Sequence, residues 1–267
     1  MDSPRSSEPA IGLFDSGVGG LSVLRALRLR LPHANLHYVA DSAYAPYGDR
    51  SGEEVIERSR RLAQHLLRAG ASMIVIACNT ATMAAIRALR AQWPEVPFVG
   101  VEPGIKPAVT RSPTGRIGVL ATRGTVASER LQSLVAEHAS QAQVLLQPCA
   151  GLADAIEAGD LEADPIDRLL ERYCAPLKEA RVDTVVLGCT HYAFVAPRIQ
   201  AIMGLQVQLV DTADAVAQRA QSLWSSTNVG TSGHGALRLE TTGDPSLLSK
   251  VANRWLRCFE TAERVQA

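Results

Sequence analysis

An internal repeat is the feature that most constrains this chain. Ile11-Gly-Leu-Phe-Asp-Ser-Gly matches Ile117-Gly-Val-Leu-Ala-Thr-Arg-Gly124 with one insertion, and Leu36-His-Tyr-Val-Ala-Asp41 resembles Val144-Leu-Leu-Gln-Pro-Cys149. Ser72-Met-Ile-Val-Ile-Ala-Cys-Asn-Thr80 parallels Asp183-Thr-Val-Val-Leu-Gly-Cys-Thr190, and Val99-Gly-Val-Glu102 pairs with Gln208-Leu-Val-Asp211. The offsets, 106, 108, 111 and 109, are nearly constant and the order is kept. Each pairing alone is weak; four in register imply two similar halves that arose by duplication.

The repeated segments are short apolar runs of the kind that form buried strands. Ile11 to Phe14, Leu36 to Ala40, Met73 to Ala77 and Phe98 to Val101 read this way, and helical patterns separate most of them. Leu21, Leu24, Leu27 and Leu31 recur at helical spacing until Pro32 stops the run. Strands alternating with helices predict α/β architecture, with parallel sheets covered on both faces. Beyond Thr212 we expect a helix, a strand at Ala236 to Glu240 and a final helix, with a polar, Gly-rich loop from Asn228 to Gly235.

Composition narrows the function. Formal charge balances at zero with a sequence pI near 7.0, which gives no electrostatic case for a nucleic-acid or membrane partner. The expected partner is a small-molecule substrate, and a second copy of the chain, a homodimer, is the other candidate. The polar start, Met1 to Pro9, lacks the apolar core of a signal peptide, and five cysteines in 267 residues are too sparse for a disulfide scaffold. A reducing cytoplasm is the expected compartment. Lysine occurs only at positions 106, 178 and 250, none in the motifs below, so Schiff-base chemistry with pyridoxal phosphate is not expected and no cofactor is called for.

The repeat places Cys78 and Cys189 at equivalent strand ends, where open α/β sheets bind their ligands. A buried cysteine is ordinarily an inert small hydrophobe, and that reading holds for Cys149, Cys174 and Cys258. Cys78 and Cys189 differ: each sits at a strand-to-helix switch, followed by small polar residues. Helix N-termini offer free N–H donors and positive potential, which predicts lowered thiol pKa values. Two facing thiols suit inversion at a carbon acid, which needs a base on one face and an acid on the other.

Other residues admit two readings. Asp15 caps the next helix, or it binds an ammonium group and orients Cys78; Ser16 then binds carboxylate. His191, two residues after Cys189, is structural, or it polarises that thiol or touches the substrate. Cys189-Thr-His191 hints at metal, but no further Cys/His pair at ligand spacing supports it. Gly17, Gly19 and Gly20 lack the spacing of a dinucleotide fingerprint, and no Walker lysine follows. Ala45-Pro-Tyr-Gly48 is a turn whose Tyr47 and Gly48 could hold a carboxylate. Thr122 and Thr125 are caps or anion donors. Glu157 reads first as a solvated helix-end residue.

Taken together, Gly12-Leu-Phe-Asp-Ser-Gly-Val-Gly-Gly20, Tyr38-Val-Ala-Asp41 with Pro46-Tyr-Gly48, Ala77-Cys-Asn-Thr-Ala81, Gly100-Val-Glu-Pro103 and Leu187-Gly-Cys-Thr-His-Tyr192 resemble the glutamate racemases of the aspartate/glutamate racemase superfamily. The similarity runs from Ile11 to Asp211. It implies two α/β domains, 1–101 plus 211–267 and 102–210, with the active site between them and the C-terminal segment packed on the first. It implies that Cys78 and Cys189 exchange protons with glutamate without a cofactor, assisted by Asp15 beside Cys78 and by Glu157 beside His191. Asp15, Ser16, Tyr47, Gly48, Asn79, Thr80, Thr190 and His191 become substrate contacts. The implied role is supply of D-glutamate for peptidoglycan, hence cell-wall biogenesis and cell shape. Two departures stand out: Ala193 replaces a usual proline, and Ala150-Gly151 replace bulkier residues after Cys149. An aspartate or hydantoin racemase of the same superfamily is the nearest rival, and a decarboxylase would need one thiol only. A non-catalytic two-domain ligand-binding protein is the rival from another class.

Overall fold

The computed structural model describes residues 9–226, 233–258 and 260–267. The polar start through position 8 and positions 228–232 of the expected Gly-rich loop lie outside the described residues. Ten strands are described: β1 (Ala10–Asp15), β2 (Asn35–Ala40), β3 (Ala71–Ile76), β4 (Phe98–Gly100), β5 (Arg116–Ala121), β6 (Gln143–Pro148), β7 (Thr184–Leu187), β8 (Gln208–Val210), β9 (Leu237–Thr241) and β10 (Ala262–Arg264). Between them run α1 (Leu21–Arg30), α2 (Gly52–Arg68), α3 (Asn79–Gln92), α4 (Ile105–Arg111), α5 (Arg123–Val126), α6 (Glu129–His138), α7 (Leu152–Glu157), α8 (Asp164–Glu179), α9 (Ala196–Met203), α10 (Ala213–Ser226) and α11 (Pro245–Leu256).

The strands form two all-parallel sheets, β10-β9-β2-β1-β3-β4 and β6-β5-β7-β8. The run β2-β1-β3-β4 and the run β6-β5-β7-β8 have one order, so the repeat is a repeat of topology. Register agrees for three strands: Ile11 faces Leu36 and Met73, and Ile117 faces Val144 and Thr184. The fourth segment needs correction. Val75 faces Val99 and Val186 faces Val210, so Val99 corresponds to Val210 and the sequence alignment there had slipped by two residues. A two-residue slip leaves every side chain on its original face, so apolar patterning cannot detect it.

Local chemistry sets the helices in place. The α2 helix starts at a capping box, with Ser51 accepting from the Glu54 N–H while the Glu54 carboxylate accepts from the Ser51 N–H. Its buried stripe is Val55, Arg58, Ser59, Leu62, Ala63 and Leu66. The α1 helix buries Leu21, Leu24 and Leu27 against the first sheet and packs on α10 and α11. The strands β1, β2 and β3 of the first sheet are mostly apolar and buried along nearly their whole length, as coverage on both faces requires. The C-terminal segment returns to that sheet, where β9 pairs with β2. The short strand β10, outside β9, was not foreseen; Ala262-Glu-Arg264 is too short and too exposed to show a strand pattern. Among the described residues, no helix is long and apolar enough to cross a membrane.

Candidate active site

Both cysteines sit where a strand gives way to a helix, but the helices differ. Cys78 is the N-cap of α3, and its sulfur accepts the Ala81 N–H at 3.5 Å. Cys189 precedes a 3₁₀ turn, Thr190–Val195, that only then becomes α9, and its side chain makes no capping bond. Gly188 lets the second sheet bring Cys189 this close: a Cβ there would meet the Leu120 carbonyl at 2.8 Å. Both cysteines are buried and unpaired.

The expectation of a lowered thiol pKa fails at Cys78. Burial pushes that thiol far up, and the nearby Asp15 carboxylate adds to the rise. The Ala81 N–H works against both and is outweighed, so desolvation exceeds the helix-terminus effect. The Cys78 thiol donates to Ser16 Oγ at 3.7 Å, and Ser16 donates onward to Asp15 Oδ1 at 3.1 Å.

Asp15 does not cap α1, whose N-cap is Gly20 with no side-chain bond. Its Oδ1 accepts the Gly17 N–H at 2.8 Å, and its Oδ2 accepts the Thr190 hydroxyl at 2.9 Å from the opposite lobe. Burial raises this carboxyl to about 6, against the pull of His191 and its hydrogen-bond donors.

Around Cys189 the arrangement is cationic. His191 Nδ1 lies 3.7 Å from the sulfur, and Nε2 lies 2.7 Å from Glu157 Oε2. Burial opposes the imidazolium, but Cys189 and Glu157 on its two nitrogens hold His191 well above its ordinary value. The solvated reading of Glu157 is therefore wrong. Only 14% of its side chain is exposed, and it accepts three bonds: from His191, from the Val18 N–H at 2.8 Å and from Ser42 Oγ at 2.7 Å. Gly151, one of the departures from family pattern, begins the helix that carries Glu157 with φ of 75°, a left-handed conformation that favours glycine.

The glycines after β1 serve close approach. A Cβ on Gly17 would run into the Glu157 carboxylate, and one on Gly19 would lie 2.5 Å from His191 Nδ1 and 2.6 Å from Thr190 Oγ1. Hydroxyls join the turns that follow β3 and β5: Thr80 meets Thr122 at 3.0 Å and Thr125 at 3.3 Å. Thr122 additionally caps α5. Gly48 packs directly on Thr122. The Tyr47 hydroxyl is committed to Asp41 Oδ2 at 2.5 Å, so any contact from this turn to a ligand is left to its backbone. Asn79 Oδ1 is buried without a hydrogen-bond partner, an acceptor poised for a ligand donor.

Three residues escaped the sequence reading. Ser42 holds Glu157 from the first lobe. Arg58 forks onto Asp41 at 2.8 and 2.9 Å, and Thr242 donates to the same carboxylate at 2.8 Å. Arg58 had a signal: it falls on the apolar stripe of α2, where a charge requires a buried partner. Ser42 and Thr242 had none. Cys149 donates to the Gln147 carbonyl at 3.4 Å, and burial raises both it and Cys174, the behaviour of inert thiols.

Comparison with known proteins gives one picture. The Asp/Glu/Hydantoin racemase family model matches residues 21–220. The glutamate racemase of Pseudomonas aeruginosa is 46% identical over 243 residues, covering 91% of this chain and 92% of that one. Among solved structures, a glutamate racemase isoform from Bacillus anthracis aligns with a TM-score of 0.87 at 29% identity, covering 97% of each chain. The Escherichia coli glutamate racemase, solved with L-glutamate and the activator UDP-MurNAc-ala, gives 0.86 at 31% identity, covering 97% of this chain and 98% of that one.

Proposed function

The chain belongs to the Asp/Glu/Hydantoin racemase family, and we propose that it interconverts L-glutamate and D-glutamate by a cofactor-independent, two-thiol mechanism. One observation carries the reading. Two buried cysteines stand at equivalent strand ends of two sheets of the same order, each with its own polar escort. The likeness to named glutamate racemases over most of the chain favours glutamate above aspartate or a hydantoin.

In the proposed reaction one sulfur, as thiolate, takes the α-proton of one enantiomer and becomes a thiol. The carbanion keeps the electron pair of the broken C–H bond. The opposite thiol delivers its proton to the other face and is left as thiolate, so charge and protons balance. Cys189 serves L-glutamate and Cys78 serves D-glutamate. Asp15 and His191 are the groups through which each sulfur gains or loses its proton between turnovers, and Glu157 orients His191. Ser16, Tyr47, Gly48, Asn79, Thr80, Thr190 and His191 line the substrate site, whose hydroxyls and amides suit two carboxylates.

The two lobes correspond to 1–101 plus 211–267 and 102–210. The product D-glutamate serves peptidoglycan synthesis in the cytoplasm, and the chain works as a monomer or homodimer. The test is circular dichroism of purified protein with each enantiomer, after dialysis against a chelator. Both signals should decay toward zero at pH 7. Optical rotation that stays constant, or decay that needs added pyridoxal phosphate or metal, would refute the reading.

A further inference from the structure

Away from the thiols, three elements send one side chain each to a single buried point. His37 stands on β2, Glu240 on β9 and His65 on α2. His37 Nε2 lies 2.8 Å and His65 Nε2 lies 2.6 Å from the same oxygen, Glu240 Oε2. The three donor atoms lie within 4.8 Å of one another. The Glu240 side chain has no exposure and that of His37 only 6%, whereas His65 keeps 27%. Arg238 takes the other oxygen, Oε1, at 2.5 Å.

A carboxylate this deeply buried needs positive charge at hand. Two neutral imidazoles pointing lone pairs at it would repel it. Arg238 supplies positive charge on the Oε1 side; on the Oε2 side the two rings must each turn an N–H to the oxygen or share one cation with it. Protons fill this point poorly. The His65 contact is a hydrogen bond, but His37 Nε2, though only 2.8 Å away, is out of line and is left without a hydrogen bond. An orphaned, almost inaccessible ring nitrogen directed at a carboxylate oxygen is a metal ligand's situation, because a lone pair needs only to point at the ion.

We infer that His37, His65 and Glu240 form a binding site for a divalent transition-metal ion of the zinc class, separate from the racemisation chemistry. Imidazole nitrogens suit zinc, copper, iron and nickel better than calcium or magnesium. Two histidines and a carboxylate leave a fourth position for water, and the exposed side of His65 provides the way in. Tetrahedral bonds of ~2.0–2.1 Å put ligand atoms roughly 3.3 Å apart, so loading spreads the present contacts by about half an ångström. His65, the least enclosed of the three, is the ligand able to give. Arg238 pairs with Oε1, without hydrogen-bond geometry, and leaves Oε2 for the ion. A bound ion would tie the returning strand β9 to β2 and α2. Sequence spacing could not reveal the set, since 175 residues separate His65 from Glu240.

Cobalt(II) is the probe, because its spectrum distinguishes nitrogen and oxygen ligands from thiolates. The full-length protein, stripped with chelator, is titrated with Co²⁺ under equilibrium dialysis, visible absorption and thermal melting. One ion per chain is expected, with d–d bands, no sulfur-to-cobalt charge-transfer band and a raised melting temperature. His65→Ala should weaken binding by roughly 10–100-fold, and the rise in melting temperature should disappear with it. If His65→Ala fails to fold, His65→Gln, which retains length and polarity, carries the same test. Absence of binding to the parent, equal binding by the variants, or a charge-transfer spectrum lost in Cys189→Ala would each overturn the assignment.

Discussion

The two thiols occupy equivalent places in a duplicated frame, yet their surroundings are opposite in charge. Cys78 is escorted by Ser16 and Asp15, an acid that burial holds at about 6 and that raises the thiol further. Cys189 is escorted by His191, which Glu157 and the sulfur itself keep well into the cationic range. Burial and Asp15 thus favour a protonated Cys78, while His191, raised by its two neighbours, stands 3.7 Å from the Cys189 sulfur. The two sulfurs hold matched positions in sheets of one order, but the residues around them differ: a hydroxyl and a carboxylate beside one, an imidazole beside the other.

Removing a thiol tests the comparison most severely. Cys78→Ala and Cys189→Ala should each lower racemisation in both directions by roughly 10²–10⁴-fold or more, because inversion needs an acid and a base. The surviving thiol should still exchange the α-hydrogen of its own enantiomer in heavy water, D-glutamate for Cys78 and L-glutamate for Cys189. Proton NMR of the α-position measures both. A folded alanine variant that racemises near the parent rate would end the two-thiol account.

Glu157→Gln tests the cationic side alone. It removes the charge behind His191 while keeping a group able to meet Val18 and Ser42. Loss of a charged hydrogen bond is worth about 1.5–3 kcal/mol, which corresponds to roughly 10–150-fold. The loss should appear in kcat/KM of racemisation equally from both enantiomers, while α-hydrogen exchange of L-glutamate falls and exchange of D-glutamate at Cys78 is preserved. An equal loss in exchange from both enantiomers would mean that Glu157 acts only by holding the lobes together.

How much of this was legible beforehand depends on the range of the signal. The repeat, the parallel sheets and the thiol positions lie in short contiguous segments, and apolar runs such as Ile11 to Phe14 announce themselves. The two-residue slip at Val99 was invisible because a strand repeats every two residues. From its own segment Glu157 read as a solvated helix-end residue, and only the family resemblance set it beside His191; its partners Val18 and Ser42 are 139 and 115 residues away. The glycines at 17 and 19 fit no phosphate-binding pattern, and nothing in their sequence signalled that they make room for Glu157 and His191. The lowered pKa expected at Cys78 came from counting the helix terminus without the burial. The contacts of Glu157 and of the glycines join segments far apart in the chain, which no local pattern encodes.

The smallest expected effect concerns the acid beside Cys78. Asp15 must be ionised to receive a proton from that thiol or to hold an ammonium group. Its carboxyl titrates at about 6 in the folded chain, so kcat/KM for D-glutamate should fall below pH 6, by about tenfold at pH 5. Asp15→Asn should lower the whole profile and abolish that limb. Stability supplies an independent check with a definite sign. A carboxyl raised from 3.8 to about 6 binds its proton more tightly when folded than when unfolded. Stability from this group is therefore full below pH 4 and is lost as pH rises through 6, a change of about 3 kcal/mol. Asparagine has no such charge to bury. Compared with the parent, Asp15→Asn should gain stability between pH 4 and pH 7 by up to that amount, less whatever its altered hydrogen bonds to Gly17 and Thr190 cost. Urea unfolding at the two pH values measures the difference. A gap between the proteins that does not grow with pH would show that Asp15 is already at ease as an anion, and the acid limb would then need another owner.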